Sequence, residues 1–241
     1  MAEDPELWPR LVGWVGERLA ARAGRTLLLG IVGVPGCGKS TLAARLARSL
    51  AGVPSLIVSL DDFYLTPAQR DERGLRWRGP PGTHDLRLLD RFLVQLTAGA
   101  AQLEVPVFDR NHERRLPARV QPGPLALCIL EGWFVGARAP GYERLADSLD
   151  RLIYLDMEIA AARAARCARE AAVRRLGAGG MSEADTLRFW DEAIAPHVPT
   201  LVLPLRDRAD ARLTVSPTHA LSELWLAPPA AGPCGTPGCR R

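Results

Sequence analysis

GVPGCGKS, residues 33–40, sets a glycine, four residues, a second glycine, a lysine and a hydroxyl residue in a row. That spacing suits phosphate. Glycines let backbone N–H groups turn inward around phosphate oxygens, and a helix starting there adds the positive end of its dipole. A lysine at this point reaches the outer phosphates of a nucleotide, and the hydroxyl can serve Mg²⁺. Gly33, Val34, Pro35, Gly36, Cys37, Gly38, Lys39, Ser40 and Thr41 are the candidate ATP-binding residues. Lys39 is also the only lysine among 31 lysines and arginines. Arginine would keep the charge but is a planar fork, whereas lysine is a point charge on a slim stem. A chain that uses arginine everywhere else and lysine here points to a steric requirement.

Three carboxylates could complete phosphoryl-transfer chemistry. Asp61 and Asp62 follow the apolar run LIVSL, and Glu131 follows LALCIL. Such chemistry needs one carboxylate to organise Mg²⁺ and another to orient or deprotonate an acceptor hydroxyl. In a doubly wound sheet, ligands sit at the carboxyl ends of the strands, where all three would lie.

The elements that must hold these groups are legible. TLLLGIV (26–32), LIVSL (56–60), LALCIL (125–130), LIYLD (152–156) and ARLTV (211–215) read as strands, and VPVF (105–108) as a short one. Helices are expected over 6–23, after the phosphate loop, over 85–96, over 157–176 and from Ser182 to about Ala193, with a last short one at HALSEL (219–224). Strand–helix alternation predicts a three-layer α/β domain with a mostly parallel sheet. Residues 61–85 read as a loop. Residues 1–25 read as an N-terminal helical segment, 26–225 as the main domain and 226–241 as a flexible Pro/Gly-rich tail.

Composition narrows the class. The chain has 241 residues and a net charge of +4, with its arginines scattered rather than clustered. No aromatic-interleaved basic patch suggests nucleic acid, and no apolar run is long enough to span a membrane. The start MAEDPELW lacks the order of a signal peptide, so a cytoplasmic protein is expected. Five cysteines, three of them inside apparent elements, argue against a disulfide framework. Cys234 and Cys239 form a lone C-x4-C pair, read as loose tail rather than a zinc site. No oligomeric state follows from the chain.

Taken together, GVPGCGKS, SLDDFYL and CILEGW resemble the uridine kinase/phosphoribulokinase/pantothenate kinase group of P-loop kinases. The longer set DDFYLT, WRGPPGTHDLRLL, VPVFDR, LEGWFVG and GGMSEADTLRFWDEAIAP is similar to the D-glycerate 3-kinase branch. The resemblance covers residues 26 to about 215. It implies a P-loop NTPase fold with a helical lid, ATP and Mg²⁺ as cofactors, and a small-molecule hydroxyl as acceptor. It further implies Asp61 as catalytic base near the metal, Glu131 and Ser40 at the metal, and Arg166 and Arg169 as lid arginines over the phosphates, with Arg174 and Arg175 nearby. Phe63 and Tyr64 would line the acceptor pocket, beside Asp62. Uridine kinases carry a histidine and an arginine after the strand equivalent to VPVF. Here FDRNHERR sets His112 one residue off that spacing, which points away from a nucleoside.

Arginines crowd the two loops that flank the expected acceptor site: Arg70, Arg73, Arg76 and Arg78 in one, Arg110, Arg114, Arg115 and Arg119 in the other. A carboxylate-bearing acceptor such as D-glycerate calls for a guanidinium fork. Arg78 and His84, inside RGPPGTHD, are the expected acceptor ligands. Uridine, pantothenate or a sugar is the alternative acceptor, and a nucleotide-dependent regulatory ATPase the alternative class.

Overall fold

The structure, a computed structural model, describes residues 5–177 and 179–228. In chain order its strands are β1 (Leu27–Val32), β2 (Ser55–Ser59), β3 (Gln102–Asp109), β4 (Arg114–Pro122), β5 (Leu127–Glu131), β6 (Arg151–Asp156), β7 (Ala211–Val215) and β8 (Leu221–Leu226). The helices are α1 (Leu7–Ala21), α2 (Lys39–Ser49), α3 (Pro67–Asp71), α4 (Leu86–Thr97), α5 (Glu143–Ser148), α6 (Ile159–Arg175), α7 (Glu183–Phe189) and α8 (Leu205–Arg208).

Six strands make the central sheet in the order β2–β5–β1–β6–β7–β8. The first five are parallel, and β8 runs antiparallel to β7. Every residue of β1 and β5 is buried. Strands covered by helices on both faces read as unbroken apolar runs, which is why these two stand out in the sequence. The register matters for function: Glu131 pairs with Ile31 of β1 and Ser59 of β2, so the three chain exits at that edge lie level. Helix α2 buries Leu42, Ala43 and Leu46 on one face. Helix α4 buries Leu89, Phe92, Leu93 and Leu96, each worth roughly 1.5–3 kcal/mol, and starts where the Asp85 carboxylate accepts from Leu88 N–H at 3.0 Å.

Three expectations change. HALSEL is not a helix. After β7 the chain turns back through Ser216–Ala220 and lays Leu221–Leu226 along the open edge of β7. The unpaired edge of β7 outweighs the weak local pattern, and α1 then packs on β8. Leu226 therefore ends a strand, and Ala227 N–H still donates to Asp210 C=O. VPVF belongs to a longer β3, paired with β4 in a separate two-stranded ribbon. The pairing slips between Val105 and Val107, around Pro106, which has no N–H to give. Strand β4 is mostly exposed and polar, so it carries no apolar signal. Finally, the regular helix from Ser182 stops at Phe189 and widens into a π-helical turn over Trp190–Ile194.

The expected loop 61–85 contains a 3-10 turn over Leu60–Phe63 and α3. Residues 229–241, with Cys234 and Cys239, lie outside the described residues. Cys37, Cys128 and Cys167 are free thiols. Among the described residues, no helix is long and apolar enough to cross a membrane.

Candidate active site

The phosphate loop is built by backbone geometry. Gly33, Gly36 and Gly38 have φ of +156°, +102° and +95°, in or near the left-handed range that favours glycine. A β-carbon on Gly36 would lie 2.2 Å from the Ala162 carbonyl oxygen. Helix α6 thus rests directly on the loop, and only a glycine permits that approach. Lys39 opens α2 and folds back over the loop, its Nζ donating to the carbonyls of Gly33 at 2.9 Å and Val34 at 3.2 Å. The side chains of Val34 and Cys37 are buried behind the loop, so these two, with Gly33, shape the cradle from behind rather than line the cavity.

A cavity of about 790 Å³ opens over the loop. Pro35, Gly36, Gly38, Lys39, Ser40 and Thr41 line its phosphate end. Ser40 Oγ donates to Glu131 Oε1 at 2.9 Å, joining the start of α2 to the end of β5. Among the described residues, no group of three or more His, Cys, Asp or Glu side chains forms a metal cage. Hard oxygen donors in small number suit Mg²⁺, which keeps waters and shares phosphates instead of filling an all-protein site. The residues present therefore fit Mg²⁺ and nucleotide phosphates.

Asp61 also lines the cavity. Tyr64 donates its hydroxyl to Asp61 Oδ1 at 2.7 Å, and Arg110 Nη1 donates to Oδ2 at 3.0 Å. Burial alone would raise the Asp61 pKa. The Arg110 guanidinium and the Tyr64 hydroxyl outweigh it and hold the carboxyl below the usual aspartate range. Asp61 is ionised at neutral pH. Burial and the neighbouring Asp61 charge push the Tyr64 phenol well up, so it remains a donor.

Two sequence motifs meet to place Arg78. Trp133 of LEGW donates its indole N–H to Gly79 C=O at 3.1 Å. Thr83 Oγ1 accepts from Gly79 N–H at 3.0 Å and donates to Pro80 C=O at 2.7 Å, closing the RGPPGT turn. Arg78 then points into the cavity, where it pairs with Glu113. It is thus not an unpaired fork. Two other expected acceptor ligands lie elsewhere. Asp62 turns to the ribbon and accepts from Phe108 N–H at 3.2 Å and Ser59 N–H at 3.4 Å, so it ties β3 to the turn instead of facing the cavity. His84 is buried beneath Tyr64: their rings stack at 4.6 Å, and His84 Nδ1 meets the Tyr142 hydroxyl at 2.8 Å. Burial pushes its pKa down to about 4, so it is neutral and acts as packing behind Tyr64. Phe63 is likewise buried, against Phe92.

The lid side is helical. Arg166 and Arg169 of α6 line the cavity. Arg166 stacks over Phe189 of α7 at 4.8 Å and lies 3.8 Å from Glu170, while Arg169 bonds Glu170 at 3.2 Å. Burial, with Arg169 close by, lowers the Arg166 pKa from its very high ordinary value, and it stays charged. Arg174 and Arg175 do not line the cavity.

Sequence reasoning counted Arg110 among the loop arginines without choosing it as a ligand, and it missed Asn111, Glu113 and His219, which also line the cavity. Arg110, Asn111 and Glu113 arrive on the β3–β4 tip, which Asp109 shapes by accepting from the backbone N–H of Asn111 at 3.1 Å and His112 at 3.2 Å. His219, in left-handed backbone with φ +63°, places Nε2 2.8 Å from Gly36 C=O. Only the clustering of arginines and acids in FDRNHERR hinted at the first group, and nothing local marks His219.

Residues 28–222 match the model of the phosphoribulokinase / uridine kinase family. The chain belongs to that family. It is 30% identical over 224 residues to a pantothenate kinase from Sorangium cellulosum, covering 84% of this chain and 73% of that one. It is 32% identical over 139 residues to the uncharacterized kinase mug58 of Schizosaccharomyces pombe, and that match spans only half of each chain. Among solved structures, a D-glycerate 3-kinase from Cryptococcus neoformans var. grubii superposes with a TM-score of 0.77 at 20% identity, covering 90% of this chain and 98% of that one. The mostly parallel sheet flanked by helices, with a phosphate loop between β1 and α2, is the P-loop kinase fold of that family.

Proposed function

We propose that this kinase transfers the γ-phosphoryl group of ATP to a hydroxyl of a small hydroxy acid, D-glycerate first. One observation carries the reading. A single cavity joins the phosphate loop and the Ser40–Glu131 pair to an ionised Asp61 and to the arginines Arg78 and Arg110. Guanidinium groups beside the acceptor end suit a carboxylate on the acceptor.

ATP with Mg²⁺ supplies the transferable phosphoryl group and neutralises part of its charge. Lys39 exchanges its two carbonyl partners for phosphate oxygens, and the loop amides hold the rest. Ser40 and Glu131 would hold the metal, with Asp61 close to it. Asp61 aligns the acceptor hydroxyl and takes its proton late, since a depressed pKa favours orientation over early abstraction. Arg166 supplies positive charge from α6 where negative charge builds up. Arg169 adds to the same lid.

ADP release by the purified protein, against D-glycerate, pantothenate, uridine and fructose, tests the reading. Turnover with D-glycerate above the others is expected. The pantothenate kinase relative keeps pantothenate, itself a hydroxy acid, as the second acceptor. Preference for uridine contradicts the reading, and slow hydrolysis that no acceptor stimulates would place the protein with regulatory ATPases.

A further inference from the structure

Glu113 is an unusual inhabitant of a hairpin tip. A glutamate there ordinarily extends into water, yet this one turns inward and lines the cavity. Its backbone is left-handed, with φ +54°, a conformation that residues with a β-carbon seldom adopt. One carboxylate oxygen, Oε2, bonds Arg70 Nη2, and the other, Oε1, pairs with Arg78 Nη1. Arg70 is buried and also donates to Leu65 C=O at 3.2 Å. Arg78 is close enough to Arg70, Asp61 and Tyr64 for each to perturb its charge. The two guanidinium groups repel each other, and the carboxylate between them offsets that repulsion.

We infer that Glu113 holds the place of the acceptor's carboxylate on Arg78, and that the acceptor binds by exchange. This rests on the hydroxy-acid reading above. In the exchange Arg78 leaves Glu113 Oε1 for the incoming carboxylate, while Glu113 keeps Arg70 through Oε2. No buried charge is stranded in either state, so the exchange avoids the large penalty of an unpaired ion. A neutral acceptor has nothing to offer Arg78 and leaves the pair shut. Glu113 therefore selects for anionic acceptors and weakens their binding by competing with them. A purely structural tie has the opposite consequence: removing it would let Arg78 swing away and would weaken carboxylate binding.

The sign of the effect decides. Initial rates of ADP formation are measured against acceptor concentration for wild type and Glu113→Gln, with D-glycerate and pantothenate as hydroxy acids and glycerol as the neutral counterpart. For the hydroxy acid that wild type uses, Glu113→Gln should lower KM about tenfold and leave kcat within about twofold. Acetate, a carboxylate without a hydroxyl, should inhibit the variant more strongly than wild type, in competition with the acceptor. An unchanged or raised KM overturns the inference. Because Glu113→Gln takes from Arg70 the carboxylate bonded to it, the double variant Arg70→Met, Glu113→Gln repeats the measurement with that buried charge removed. Wild type that uses pantothenate and not D-glycerate overturns the D-glycerate reading alone, and the KM test then proceeds with pantothenate. Wild type that prefers uridine overturns both.

Discussion

The phosphate end of the cavity and its proposed acceptor end are made by different means. Residues 33–41 make most of the first in one unbroken stretch, from backbone geometry, three glycines and one lysine. The second draws Asp61, Tyr64, Arg78, Arg110 and Glu113 from separate stretches, and their charges are already paired with one another. A backbone cradle reads phosphate and little else. A set of paired side chains can be retuned by one substitution, and that is where relatives with different acceptors would diverge. The phosphate end should therefore fail outright when altered, and the acceptor end should shift its preference.

Lys39→Arg probes the first half of that contrast and should have the largest effect. Nζ sits 2.9 Å from Gly33 C=O and 3.2 Å from Val34 C=O, a close pairing that suits a point charge on a slim stem rather than a planar fork. The expected loss in kcat/KM is ~10³-fold or more, measured by ADP release, with charge unchanged. A fully active variant would show that the lone lysine is an accident of composition.

Arg166→Ala comes next. The residue reaches the cavity from α6, which rests on Gly36, and it stacks on Phe189. We expect kcat to fall ~100-fold while acceptor KM changes little. A change confined to acceptor KM would move Arg166 from the phosphate end to the acceptor end and blur the contrast.

His84 should give the smallest effect on catalysis and a clear one on stability. Its pKa is pushed from 6.5 to about 4 by burial. The unfolded chain takes up a proton as pH falls below 6.5, and the folded chain does not until about 4. Stability is therefore lost as pH falls through that window and levels off below it. Between pH 7 and 5 the loss from this group is about 2 kcal/mol. In His84→Phe, urea unfolding should show a pH 7-to-5 loss smaller by that amount. A kcat/KM limb near pH 6.5 that disappears in the variant would instead make His84 an acceptor ligand after all.

The same contrast explains what could be read from the sequence. The loop, β1, β5 and the level exits at Asp61 and Glu131 announce themselves through closely spaced glycines and unbroken apolar runs. Arg78 was legible as a lining residue, but not its partner. Whether an arginine in an arginine-rich loop is solvated or paired depends on a tip far along the chain, and Glu113 carries no local mark. His84 and Asp62 sat in suggestive motifs, yet tertiary contacts with Tyr142 and Phe108 claim them. Strand β4 escaped notice because its ribbon is solvated, and β8 because the open edge of β7, not its own pattern, makes it a strand.

The most direct test of the central claim is ADP formation with D-glycerate by wild type and by Asp61→Asn in parallel, with nucleotide binding measured on both. Asn keeps the shape but loses the charge that orients the hydroxyl and accepts its proton. We predict D-glycerate-dependent turnover in wild type, a fall of ~10³-fold or more in the variant, and nucleotide affinity unchanged within a few-fold. Equal turnover in the two proteins would contradict the account.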